Sequence, residues 1–210
     1  MTGTEIDELF ERLDRLVAAT KQKAGDGSAW DYTFADGETH HYVIRGLKSQ
    51  AEAEDSAFNL IIWIWNAKDY LKRRVEASGQ DTQMVEDAVN ADPVLPICAD
   101  LANHLKHGEL KRSWSGLYPR LGSVSFEAPQ DAVGSLIFRA FEVELMIADP
   151  NLVEFRLPII DQTGAELGDA FECAARGLAA LERLKARIEE GKLIGRSRRA
   201  VTQASERLGH

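Results

Sequence analysis

The stretch CADLANHLKHGEL, residues 98–110, places an Asp, an Asn, a Lys and two His within eight positions. Such groups move protons, orient an imidazole or hold an anion, whereas Glu, Lys and Arg coat an ordinary solvated helix face. At about 100° per residue, Ile97, Cys98, Leu101, Ala102 and Leu105 share one arc of a helix. Asp100, Asn103, His104, Lys106 and His107 share the other. Asp100, Asn103 and His107 fall within about 60° of one another, so helical spacing directs them to one spot. There Asp100 or Asn103 would orient the His107 imidazole and set its tautomer, with Lys106 holding an anion beside it. The competing reading is a solvated polar face, which any amphipathic surface helix presents.

Other chemistries find less in the chain. His104 and His107 are three apart and could share an ion, with Asp100 or the His40–His41 pair completing the shell. No H-E-x-x-H accompanies them and no cysteine pair has ligand spacing, so neither a metal nor a cofactor is expected. A nucleophile elbow and a phosphate-cradling glycine loop are both missing from the sequence. Cys98 and Cys173 fall in helix-like segments and read as reduced, buried thiols.

The elements that would position a site follow from periodicity. Ile6, Leu9, Phe10, Leu13 and Leu16 predict a helix over 4–23. Alternating aromatics before Asp36-Gly37 and a β-prone run after it predict a hairpin over 30–46. Residues 48–77 form a long helix, with Leu60, Trp63, Ile64, Ala67, Tyr70 and Leu71 on one stripe. Phe58, Ile61, Ile62 and Trp65 cover much of the remaining circumference, which marks a central helix. Asn59, Asn66 and Asp69 stand out there, since a polar group on a buried helix needs a partner. The alternative is that they sit at the helix edge and face water. Asn66 and Asp69 are the two carried forward, as supporting candidates for the 98–107 cluster together with His104. A short helix covers 81–90, and Pro96 and Gly108 bracket the next one. Residues 123–127 read as a strand. Residues 141–160 read as a hairpin, Phe141, Val143, Leu145 and Ile147 pairing across "ADPN" with Val153, Phe155, Leu157 and Ile159. The helix at 166–190 supplies the layer on which that hairpin packs.

The whole is an α+β fold, a helical bundle with a small antiparallel sheet, in a single domain over 1–191 and a basic tail over 192–210. The 210 residues carry 44% hydrophobic and 28% charged residues, the balance of a globular chain. A net charge of -9 argues against wholesale wrapping of nucleic acid, which needs a positive surface. Residues 183–199 run against that trend, with seven Lys or Arg against two Glu. Arg196, Arg198 and Arg199 are therefore the candidate RNA contacts. The alternative is a solvated helix end whose cations complement the helix dipole. The longest apolar run, LIIWIW at 60–65, is too short to span a bilayer, and no signal peptide is read, so a cytoplasmic protein without a membrane association is expected.

The segment ANHLKH, 102–107, resembles the Arg-x4-6-His element of HEPN domains, all-helical modules of bacterial toxins and antiviral systems. Asn103 and His107 match the Asn and His of that element, and Ala102 stands where the family has Arg. The chain is also similar to uncharacterised bacterial proteins with a DLxNxxKH helix after a tryptophan-bearing one. The resemblance covers about residues 50–110. It implies a helical scaffold, a homodimer, and metal-independent RNA cleavage, with His as acid or base and a cation on the phosphate. Lys106 would have to supply that cation, without the bidentate fork of Arg. Two functions follow as expectations. One is an RNA-directed ribonuclease, acting as a toxin or phage-defence component, with His107, Asn103, Asp100 and Lys106 at its centre. The other is a non-catalytic module for dimerisation or binding a protein partner, through the same polar face or a sheet edge.

Overall fold

A helix that is apolar nearly all round needs neighbours on every side, and the segment expected at 48–77 has them. The computed structural model describes residues 3–191. Its helices are α1 (Gly3–Lys21), α2 (Gln50–Ala77), α3 (Gln83–Ala91), α4 (Leu95–His107) and α5 (Ala170–Glu189). The strands are β1 (Ser28–Thr33), β2 (Thr39–Arg45), β3 (Arg120–Leu121), β4 (Ser125–Glu127), β5 (Val133–Arg139), β6 (Glu142–Ile147), β7 (Glu154–Arg156), β8 (Pro158–Ile160) and β9 (Glu166–Asp169). The fold is α+β, helices with small, mostly antiparallel sheets.

α2 starts at a capping box. The Ser49 hydroxyl accepts from the Glu52 N–H while the Glu52 carboxylate accepts from the Ser49 N–H. The bonds from Ser49 hold the Glu52 carboxyl below its ordinary value. Beyond the cap, Leu60, Ile61, Ile64, Ala67, Leu71 and Val75 are fully buried. They meet Ile6, Leu9 and Leu13 of α1, Leu101 and Cys98 of α4, and Leu178, Leu181 and Leu184 of α5 in one core. α4 and α5 approach closely because Gly177 carries no side chain: a Cβ there would lie 2.9 Å from the Cys98 sulfur. The two cysteines are free, buried thiols with their sulfurs 3.8 Å apart.

Three sheets attach to this bundle. One runs β1-β2-β6-β5, with β2 and β6 parallel and the outer pairs antiparallel; the others are β3-β8-β9 and β4-β7. The β1–β2 hairpin turns at Asp36-Gly37 as its sequence predicts, Gly37 taking φ +89°. β5 and β6 form a second hairpin.

The hairpin expected at 141–160 does not form. The alternation is real, since Val153, Leu157 and Ile159 are buried while Glu154 and Arg156 are exposed. The pairing is not local. Both sides of β6 are taken by β2 and β5, and β7 and β8 pair instead with β4, β3 and β9. Asp149 explains the divergence: its carboxylate accepts from the Asn151 N–H and caps a 3-10 turn at Pro150–Leu152, which turns the chain away. Leu157 and Ile159 join the core under α5, whereas Ile147 of β6 lies in a smaller cluster with Ile44, Leu47, Ala132 and Val153. Leu167, expected on the C-terminal helix, lies in β9 instead, because α5 begins at Ala170 behind an Asp169 cap.

Candidate functional site

Asp100 is on the predicted arc of α4, but its carboxylate does not meet Asn103 or His107. It is fully buried and satisfied by the loop that follows α4. Oδ1 accepts from the Trp114 N–H at 2.7 Å, and Oδ2 accepts from the Ser115 N–H at 2.9 Å and from the Ser113 and Ser115 hydroxyls at 2.6 Å. Four donors around one carboxylate are what a buried charge requires. Asp100 therefore fastens the 113–115 loop to α4. Its hydrogen bonds go to that loop and none to an imidazole, which corrects the sequence-based placement of this residue at a common point with Asn103 and His107.

The remaining candidates differ in their surroundings. Lys106 is exposed, and its ammonium donates to Asn66 Oδ1 at 2.8 Å, tying α4 to α2. Asn103 and His104 are half-buried and His107 is exposed. Asp69 faces solvent on α2, its carboxylate 3.9 Å from the Lys68 ammonium. Lys106 and Asn66 are thus brought together, whereas Asp69 and His107 are not part of that contact. Arg196, Arg198 and Arg199 lie outside the described residues. Among the described residues, no three His, Cys, Asp or Glu side chains are grouped so that they could hold a metal ion.

Two features escaped the sequence reading. The first is Lys68, nearly buried on α2 beneath two tryptophans. Its ammonium lies 4.1 Å from the Trp65 ring centroid and 5.2 Å from that of Trp114, and the two rings meet edge to face at 5.3 Å. Glu86 of α3 reaches it at 3.3 Å and accepts from Lys72 at 2.7 Å. Burial alone would push the Glu86 carboxyl up, but the Lys72 bond and the Lys68 charge outweigh it and hold the group below its ordinary value. Asp100 sets the backbone position of Trp114, so the carboxylate expected at an active centre in fact seats the lid over Lys68.

The second feature is the four-stranded sheet, whose two faces differ in kind. The register puts Trp30 opposite Tyr42, Tyr42 beside Val143 and Val143 opposite Phe138. One residue pair toward the base, Ile44, Leu145 and Leu136 line up on the same face; toward the tip come Tyr32 and His40. Aromatic contacts extend this face to Phe34 and Phe141, both edge to face with the His40 ring. On the opposite face Asp31 pairs with His41, and Glu144 pairs with Arg45 and Arg139. The Arg45 bond holds the Glu144 carboxyl below its ordinary value.

Burial of the apolar face falls from base to tip. Ile147 and Ile44 at the base are covered by the smaller cluster, with Phe126 and Phe155 against it. Phe138 is 73% exposed, Phe141 57%, Tyr32 53%, Leu136 51% and Trp30 45%. Where the covered and open halves meet, Trp30, Ile44, Leu47, Lys48, Gln50 and Phe126 line a cleft of about 320 Å³. Sequence did show the alternation of Trp30, Tyr32 and Phe34. It could not show that nothing else in residues 3–191 would cover them.

No helix among the described residues is long and apolar enough to cross a membrane. Comparison with protein-family models, with curated proteins and with solved structures gave no match.

Proposed function

We propose that this protein is an interaction module, with the outer half of the apolar sheet face as its docking surface for an apolar protein surface. The observation that carries this reading is the asymmetry of the sheet. The Asp31–His41 and Arg45–Glu144 pairs lie on one face, while the other offers five aromatic rings about half open to water. A typical monomer's largest exposed apolar patch is about 300–600 Å² and is itself often functional. Aromatic residues are also the side chains that dominate binding energy once covered.

The ribonuclease expected from the HEPN resemblance would need a carboxylate or amide aimed at His107 and a cation fork on the phosphate. Asp100 is bound by the 113–115 loop, and the Arg position is the fully buried Ala102. The interaction reading needs neither.

A dye that brightens on apolar surfaces tests the proposal at protein concentrations low enough to leave the face free. The wild type should enhance its emission, and the double substitution Tyr32→Ser with Phe138→Ser should remove most of that enhancement. Stability should stay within about 0.5 kcal/mol, since exposed side chains contribute little to folding. Dye binding equal in both proteins would overturn the reading. So would RNA cleavage under chelator that is lost in His107→Ala.

A further inference from the structure

The chemistry of the open face says what kind of protein covers it. We infer that the occupant is a second copy of this chain, docked apolar face to apolar face about a two-fold axis. The inference rests on the interaction reading above and names its partner.

Three observations support it. First, the outer rings carry no Lys or Arg of the sheet to recognise an acidic partner. Asp31, Arg45, Arg139, Glu142 and Glu144 all occupy positions on the other side of the sheet, and the ionisable group among the rings is the His40 imidazole, set against Glu38 at the turn. The cation nearest these rings, Lys48 in the cleft beside Trp30, already donates to the Ala19 carbonyl. The outer rings Tyr32, Phe34, Phe138 and Phe141 have no Lys or Arg of the sheet on their face to neutralise an RNA or an acidic peptide. A charged surface repels its own copy, whereas a neutral apolar one is complementary to itself, as a two-fold interface demands.

Second, the area fits. Trp30, Tyr32, Phe34, Phe138 and Phe141 are between 40% and 73% exposed, leaving each about 100 Å² open if a ring of this kind buries roughly 150–250 Å² in full. With Leu136 the face offers on the order of 600 Å² per copy, and two copies together about 1,200 Å², the lower end for specific interfaces. That size points to a dimer that forms and dissociates with concentration.

Third, the geometry is that of a sandwich with one layer present. Two sheets stack at about 10 Å with their strands within about 30°, their inner faces interdigitating. The base half of this face already has such cover in Phe126 and Phe155, and the tip half has none within residues 3–191.

Light scattering or sedimentation across a wide concentration series tests the inference with the full chain. The wild type should rise from 23.3 kDa toward twice that mass. The double substitution Tyr32→Glu with Phe138→Glu should move the midpoint to about tenfold higher concentration or more, equal to about 1.4 kcal/mol of lost affinity. Its circular dichroism spectrum should be unchanged, as should its melting temperature at concentrations where both proteins are monomers. A dimer indifferent to that substitution would overturn the inference, because it would use another surface. A monomer at every concentration that still binds dye through this face would overturn the second copy and leave the interaction reading standing. A monomer with no face-dependent dye binding would sink both. Dye displacement by a single-stranded RNA oligonucleotide from a monomer would likewise overturn the inference, giving the face to nucleic acid.

Discussion

Asp100 shows how a residue can have the right chemistry on the right arc and still serve another purpose. A helical wheel gives direction around the axis but not depth, and Asp100 is at the buried level where the chain folds back over α4. Its spacing from Asn103 and His107 was legible. The serines that would claim it were visible only as loop residues, because nothing local says which carboxylate a loop will satisfy. Asp100→Ala would remove the acceptor shared by two partly buried N–H groups and two hydroxyls, so a loss of roughly 1–3 kcal/mol is expected in urea unfolding. Trp114 emission should also shift as the lid over Lys68 loosens. His107→Ala, at an exposed position, should stay within about 0.5 kcal/mol. A comparable loss in both variants would contradict this division of roles.

Between elements, close approach and paired charge decide how the helices sit. Gly177→Ala on a solvated helix would add about 1 kcal/mol of helix preference. Here the new methyl meets the Cys98 sulfur at 2.9 Å, so overpacking should win and destabilise by roughly 1–3 kcal/mol in thermal melts. The contact of α3 with α2 should respond to pH. Glu86 is held below its unfolded value, near 4.3. Its contribution is complete above that pH and fades as pH falls through the folded value. Lys72 is raised by its Glu86 bond, so its contribution is complete below about pH 10.4 and fades above the folded value. Glu86→Gln should therefore lower the urea midpoint at neutral pH, with the gap from wild type closing in acid; a constant gap would contradict the pairing. At this scale the sequence was legible wherever pairing is local. The helices fall within a few residues of their periodic patterns, and the Asp36-Gly37 hairpin formed. Residues 141–160 were misread because alternation specifies which side chains point inward and not which strand lies alongside. A turn capped by Asp149 then sent β7 and β8 to distant partners.

For the molecule as a whole, the helices bury their apolar stripes in one core, and the four-stranded sheet leaves its own half uncovered. Asp100 of the expected polar site on α4 is held by the 113–115 loop, and the expected strand alternation becomes the surface most open to a partner. The sequence could announce that surface only as a pattern of aromatics, since solvent exposure is a property of everything that does or does not pack on it. Hydroxyl-radical footprinting, comparing dilute with concentrated protein, asks directly whether a partner protein covers it. Tyr32, Phe138 and Phe141 on the apolar face should lose reactivity as concentration rises, while Met146, exposed on the opposite face of β6, keeps its own. Rings that stay equally reactive at every concentration, or protection that falls on Met146 instead, would contradict docking through this face of the sheet.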